Sequence, residues 1–252
     1  MSDVWFTRLV PRPHARVRLF CLPNAGVGGS VYRLWASAMP ETIEVQAVQL
    51  PGRETRFREP ALRRIPAVVD GLCAALAGRL DRPFAFFGHS MGAVVASEVA
   101  RALHARGAAQ PSHLFVSAYR PPHLPALHPP IHTLSDAEFI AEIQRRYGGI
   151  PAAVLQEADL MALLLPGLRA DIEALETHLP AARPPLTCPI AVFGGDRDGV
   201  TPLAHLEAWR GETTGPVRVR VFSGGHFYLD PCRAEVIADV AASLSSLSTR
   251  QS

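Results

Sequence analysis

The chain contains no lysine, so its 25 basic residues are all arginine, set against 23 acids for a formal net charge of +2. We read the arginine-for-lysine bias, with abundant Ala and Pro, as a codon effect. No dense basic run is present to follow a phosphate backbone, so nucleic acid is not an expected partner. The four cysteines, Cys21, Cys73, Cys188 and Cys232, never fall at C-x-x-C spacing, so neither a zinc knuckle nor a disulfide scaffold is implied and buried free thiols are expected. No window approaches the ~18 apolar residues of a membrane span. The opening MSDVWFTRLVPRPHARVRLF lacks the apolar core and cleavage site of a secretion signal. A cytoplasmic protein without a membrane partner is therefore expected. Nothing in the sequence argues for a self-interface, so a monomer is the expectation.

What remains is a chain of 252 residues, 48% hydrophobic, enough to bury one sizeable core. We expect a single domain over 1–252. Short apolar runs bounded by turn residues read as strands at Val17 to Leu22, Glu44 to Leu50, Phe84 to Phe87, Leu114 to Ala118, Ile190 to Phe193 and Val217 to Phe222. Between several of them, Pro66 to Leu80 and Gly92 to Arg106 carry apolar residues at helical spacing. That alternation predicts an α/β fold with a mostly parallel central sheet flanked by helices.

One region breaks the rhythm. Between about 120 and 185 a proline-rich stretch, RPPHLPALHPP, precedes helical patterns at Ser135 to Tyr147, Pro151 to Leu165 and Gly167 to His178. Ser135 with Glu138 fits a capping box and marks the first of these starts. A helical insertion between two strands is where a lid sits, the alternative being an extra packing layer. The tail from Ser243 to Ser252 is expected to fray.

The chemistry is carried first by Gly88-His89-Ser90-Met91-Gly92, which follows a strand-like run and opens a helical one. This is the context of a nucleophile elbow, in which a strained turn lifts the serine above the sheet and small residues on either side let strand and helix meet. The α/β-hydrolase fold follows from it. A serine hydroxyl needs a base, and the base needs a carboxylate. Of ten histidines, His226 alone lies in a glycine-rich turn, Ser223-Gly-Gly-His226, just after a late strand. His14, His104, His113, His123, His128, His132, His178 and His205 read as surface, loop or helix residues, and His89 as a local packing residue of the elbow. The carboxylate should follow the strand ending at Phe193, where Asp196 and Asp198 compete. Asp198, further round the corner, is preferred, with Asp196 fixing the loop or pairing with Arg197. The order Ser90, Asp198, His226 is the one this fold uses.

An oxyanion requires two donors. Met91 N–H, after the nucleophile, is one, and Ala25 N–H, in the loop Leu22-Pro-Asn-Ala25-Gly, is the other. Gly26-x-Gly28 in the same loop is half of a dinucleotide fingerprint. Val31 stands where the last glycine would be, and no acid ends the next strand, so a Rossmann oxidoreductase is set aside.

Taken in order, Leu22-Pro-Asn-Ala-Gly with Tyr32-Arg33 and Trp35, Gln49-Leu-Pro-Gly-Arg-Glu54, the Gly88 to Gly92 elbow, Gly194-Gly-Asp-Arg-Asp198 and Gly225-His-Phe227 resemble the stand-alone type II thioesterases that service polyketide and nonribosomal peptide synthetases. Asn24 is a departure, since relatives often have His or another residue beside the oxyanion alanine. The resemblance implies hydrolysis of acyl, aminoacyl or peptidyl groups from the phosphopantetheine arm of carrier proteins, clearing stalled or mischarged synthetases of antibiotic biosynthesis. It implies carrier proteins as partners, and hydrolysis through Ser90 and His226 requires no metal or organic cofactor. The alternatives are a small-molecule carboxylesterase or lipase with the same triad, a noncatalytic binding module on a hydrolase fold, and acyl transfer to a nucleophile other than water. Five arginines between Arg53 and Arg64 could dock an acidic carrier, although solvated ion pairing is the preferred reading. Met161 and the leucines from Leu160 to Leu168 could line an acyl tunnel or simply pack.

Overall fold

The computed structural model describes residues 4–180 and 183–248. Its centre is a seven-stranded sheet in the order β1-β3-β2-β4-β5-β6-β7. The strands are β1 (Phe6–Arg8), β2 (Val17–Leu22), β3 (Ile43–Val48), β4 (Phe84–His89), β5 (His113–Ser117), β6 (Ile190–Gly195) and β7 (Val217–Phe222). β2 to β7 run parallel, and β1 closes the β3 edge antiparallel, with Phe6 opposite Val48. Successive residues of each inner strand enter opposite cores. Phe20, Phe84, Phe86, Leu114 and Val192 face one layer, while Leu19, Cys21, Phe87, Phe115 and Phe193 face the other. That is why these strands read as unbroken apolar runs rather than as alternating ones.

The helices are α1 (Arg33–Ala38), α2 (Ile65–Leu76), α3 (Met91–Ala105), α4 (Asp136–Tyr147), α5 (Ala152–Leu155), α6 (Ala158–Glu176), α7 (Leu203–Glu207) and α8 (Arg233–Ser248). α2, α3 and the inserted α4 and α6 cover the first face, and α1 and α8 the second. The four cysteines are buried free thiols. No helix among the described residues is long and apolar enough to cross a membrane.

Several boundaries differ from the sequence reading. β1 was not expected, because three residues with one buried side chain carry no pattern of their own. The expected helices Pro151 to Leu165 and Gly167 to His178 are redrawn as the single turn α5 and one continuous α6 that runs through Pro166. Proline removes one helical hydrogen bond, but Met161, Leu165, Ile172 and Leu175 are all buried in the same core, and that packing holds the helix together across it. α8 does not fray at Ser243. It continues to Ser248, since Val236, Val240 and Leu244 bury one stripe, and residues 249–252 lie outside the described part. His113 opens β5, stacked on Phe115, rather than lying in a loop. The capping box is as expected: Ser135 Oγ accepts from Glu138 N–H, while the Glu138 carboxylate accepts from Ser135 N–H.

Candidate active site

Ala25, Ser90, Met91, Asp198 and His226 lie beyond the carboxyl ends of parallel strands, where an open α/β sheet gathers its loops. Ser90 sits between β4 and α3 with φ 54° and ψ −117°, a left-handed conformation costing about 1–3 kcal/mol that the flanking structure must hold. Two glycines make it possible. A Cβ on Gly88 would lie 2.0 Å from the Gly92 carbonyl oxygen, and one on Gly92 would lie 2.1 Å from that of Leu22. Ser90 N–H donates to the Ser117 carbonyl at 2.8 Å, pinning the turn to β5.

Around Ser90 the predicted partners converge. Ser90 Oγ is 3.0 Å from His226 Nε2, and His226 Nδ1 is 2.9 Å from Asp198 Oδ2. All three side chains are buried. Burial alone would favour a neutral Asp198. Hydrogen bonds from His226 and from Val200 and Thr201 N–H outweigh it and hold the carboxyl below its usual range. An ionised Asp198 only accepts, so Nδ1 carries the imidazole proton and Nε2 accepts from the serine hydroxyl. Asp196 does the other job: its Oδ1 accepts from Gly224 N–H at 2.7 Å, and Arg197 pairs with it at the surface.

His89 lies beneath this chain. Its ring centroid is 5.3 Å from that of His226, and Nδ1 meets Ser117 Oγ at 2.9 Å, which in turn meets Tyr228 OH at 2.6 Å. Burial, and then the neighbouring His226, push its pKa well below the ordinary value, so His89 is a neutral packing and hydrogen-bonding residue.

The expected oxyanion donors, Met91 and Ala25, lie at the start of α3 and in the β2–α1 loop. Met91 is the first residue of α3, whose opening N–H groups have no intrahelical acceptor. Ala25 lines the same cavity as Ser90 and His226. The Gln49-Leu-Pro-Gly-Arg-Glu54 motif braces this loop. Glu54 accepts from Ser30 Oγ at 2.5 Å, Gln49 Oε1 accepts from Gly29 N–H at 3.0 Å, and Gln49 Nε2 donates to the Arg53 carbonyl at 2.9 Å. Of the five arginines there, Arg53 pairs with Asp171, Arg56 with Glu59 and Arg63 with Glu173, which favours the ion-pair reading for those three.

Two residues escaped the sequence reading. Tyr147, at the end of α4, meets the His226 ring edge-on at 4.9 Å. Asp171, on α6, is 2% exposed. Its signal was present, because Leu168, Asp171, Ile172 and Leu175 fall at helical spacing and place an acid within an apolar stripe.

The cavity at Ser90 has a volume of about 570 Å³ and is lined mainly by apolar side chains, among them Met161, Leu164, Leu165, Leu168 and Phe227. A second, more polar cavity of about 920 Å³ meets it at Tyr147, Ile172, Leu175 and His226. No group of three or more His, Cys, Asp or Glu among the described residues is arranged to hold a metal ion. The arrangement is a hydroxyl held against an imidazole, backed by a carboxylate, at the wall of an apolar chamber. It can attack an acyl carbon and hold the acyl chain.

Comparison with known proteins decides the family, since the thioesterase domain matches residues 17–244. The chain belongs to the thioesterase family. It is 41% identical to thioesterase PikA5 of Streptomyces venezuelae over 95% of this chain and 85% of that one. It is 39% identical to the gramicidin S biosynthesis protein GrsT of Aneurinibacillus migulanus, over 92% of this chain and 91% of that one. Among solved structures, the type II thioesterase BorB from the borrelidin biosynthetic cluster superposes with a TM-score of 0.88 at 37% identity, covering 97% of this chain and 99% of that one. The α/β-hydrolase architecture and the resemblance to type II thioesterases read from the motifs hold.

Proposed function

We propose that the chain is a serine thioesterase that removes acyl, aminoacyl or peptidyl groups from the phosphopantetheine arm of carrier proteins, clearing stalled or mischarged synthetases. The observation carrying this reading is the Ser90–His226–Asp198 relay opening on a largely apolar chamber. The biosynthetic relatives PikA5, GrsT and BorB support the carrier-bound substrate.

Ser90 Oγ adds to the thioester carbonyl carbon as its proton passes to His226 Nε2, and Asp198 stabilises the imidazolium. The carbonyl electron pair moves onto oxygen, which Ala25 and Met91 N–H groups receive. Collapse breaks the C–S bond, and the pantetheine thiol leaves, taking the proton from His226. A thiol near pKa 8.5 leaves far more readily than an alcohol, so little acid assistance is needed. Water, deprotonated by His226, then adds to the acyl-Ser90 ester, and collapse releases the acid and restores the hydroxyl. The helical insertion containing α4 to α6 serves as the lid of this chamber.

The test is acyl release from an acyl-phosphopantetheinyl carrier protein, followed by intact mass, with a matched oxygen ester and Ser90→Ala alongside. Ser90-dependent release with slow oxygen-ester turnover is expected. An inert acyl carrier with brisk ester cleavage assigns the chain to the small-molecule esterases instead. Folded protein whose Ser90 ignores a fluorophosphonate points to a binding module.

A further inference from the structure

Asp171 stands 145 residues from Gly26 and 118 from Arg53 in the chain, yet its carboxylate joins both. Oδ2 accepts from Gly26 N–H at 2.8 Å, and Oδ1 pairs with Arg53 Nη2 at 2.7 Å. The carboxylate comes from α6, in the helical insertion, whereas Gly26 follows the proposed oxyanion donor Ala25 directly. The Ala25–Gly26 peptide is gripped at both ends: its carbonyl accepts from Asn24 Nδ2 at 3.2 Å, and its N–H is held by Asp171. One turn earlier on α6, Leu168 lies so close to Gly26 that a Cβ there would come within 2.9 Å of Leu168 Cδ1, and Gly26 itself has φ +80°. A side chain at this position would be both strained and obstructed.

A buried ion pair of this kind is weak evidence for stability, because desolvation offsets much of the attraction. Burial also raises the pKa of Asp171, ahead of the opposing effects of Arg53 and the Gly26 N–H. An apolar pair would fill this space without that cost. What an apolar pair cannot do is accept the Gly26 N–H.

We propose that Asp171 is a positioning residue for the oxyanion hole: by fixing the Ala25–Gly26 peptide it restrains the Ala25 backbone, and through it the preceding peptide that carries Ala25 N–H, and it makes that orientation depend on α6 being seated. This rests on reading Ala25 as an oxyanion donor. A thioesterase whose α6 lifts away loses its acceptor at Gly26, so the insertion controls catalytic competence as well as access.

The experiment separates the hydrogen bond from the charge pair with two double variants, Arg53→Met with Asp171→Asn and Arg53→Met with Asp171→Leu. Both remove the ion pair, and only the asparagine keeps an acceptor for Gly26. Steady-state turnover of a hexanoyl thioester of N-acetylcysteamine is the readout, which requires no carrier protein. Wild-type activity on it with none on an acyl carrier defeats the carrier reading alone. The leucine variant is expected to lose kcat by about 100-fold, the scale of one missing oxyanion donor, with KM within about twofold. The asparagine variant is expected to stay within about threefold of wild type. Equal kcat in the two variants, or a loss confined to KM, overturns the proposal. If the leucine variant does not fold, Arg53→Met with Asp171→Ala, which likewise leaves Gly26 N–H without a side-chain acceptor, decides: lower kcat at unchanged KM supports the proposal, and kcat equal to that of the asparagine variant overturns it.

Discussion

The two walls of the site are held by two buried aspartates in opposite electrostatic situations. On one wall, Asp198 sits in the loop after β6, and donors from His226, Val200 and Thr201 keep it ionised against its burial. On the other, Asp171 comes from a helix outside the sheet, and burial dominates over its two partners, lifting its pKa. The first wall is built into strand ends, and its hydrogen bonds use no residue of the insertion, which meets it through the ring contact of Tyr147 with His226. The second depends on α6. A carboxylate surrounded by donors from its own scaffold is a fixed part, whereas one carried in by a separate element makes the site conditional on that element's position.

The largest effects should come from breaking the first wall. Ser90→Ala or His226→Ala should lower kcat for thioester hydrolysis by about 10⁴-fold or more, because members of such a relay act as a unit. Asp198→Asn should cost about 10⁴-fold, as the imidazole loses the partner that fixes its tautomer, while Asp196→Asn, which touches only Gly224 and Arg197, should stay within about tenfold. Parallel kinetics on these two variants check the choice between the aspartates. Gly92→Ala forces a Cβ against the Leu22 carbonyl and should lower unfolding stability by about 3 kcal/mol in urea titrations.

A pH series sharpens the comparison through its sign. Asp198 has a depressed folded pKa, so the stability it contributes is present above the ordinary aspartate value near 4 and is lost as pH falls through the depressed one. Asp171 is raised, so its contribution is present below the ordinary value and is lost as pH rises through the raised one. Denaturation of wild type, Asp198→Asn and Asp171→Asn from pH 7 to pH 3 should show the wild-type advantage over Asp198→Asn shrinking with acidity. The balance against Asp171→Asn should shift in favour of wild type. The smallest effect is expected at the far end of the insertion, where Ser135→Ala removes the α4 cap and should cost about 1 kcal/mol, with kcat changed less than about twofold.

The same contrast explains what could be read from the residues in order. β2 and β7 were bounded to the residue, because Pro23 stops the first six-residue run and Pro216 and Gly224 bracket the second. Ser90 and His226 were visible because their turns need glycines within two or three positions, a local demand that leaves a local mark. Asp198 could be ranked over Asp196 only by its distance past the strand. Asp171 and Tyr147 were missed because their roles exist only in contacts across more than 75 residues of chain. The path of α6 through Pro166 was likewise settled by tertiary packing overriding local propensity.

The measurement that goes most directly to the central claim is rapid-quench intact mass of the enzyme mixed with an acyl-phosphopantetheinyl carrier protein. A transient acyl adduct that maps to Ser90, with one free carrier thiol released per adduct formed, is the predicted result. Turnover with no adduct, or an adduct on any other residue, would contradict it.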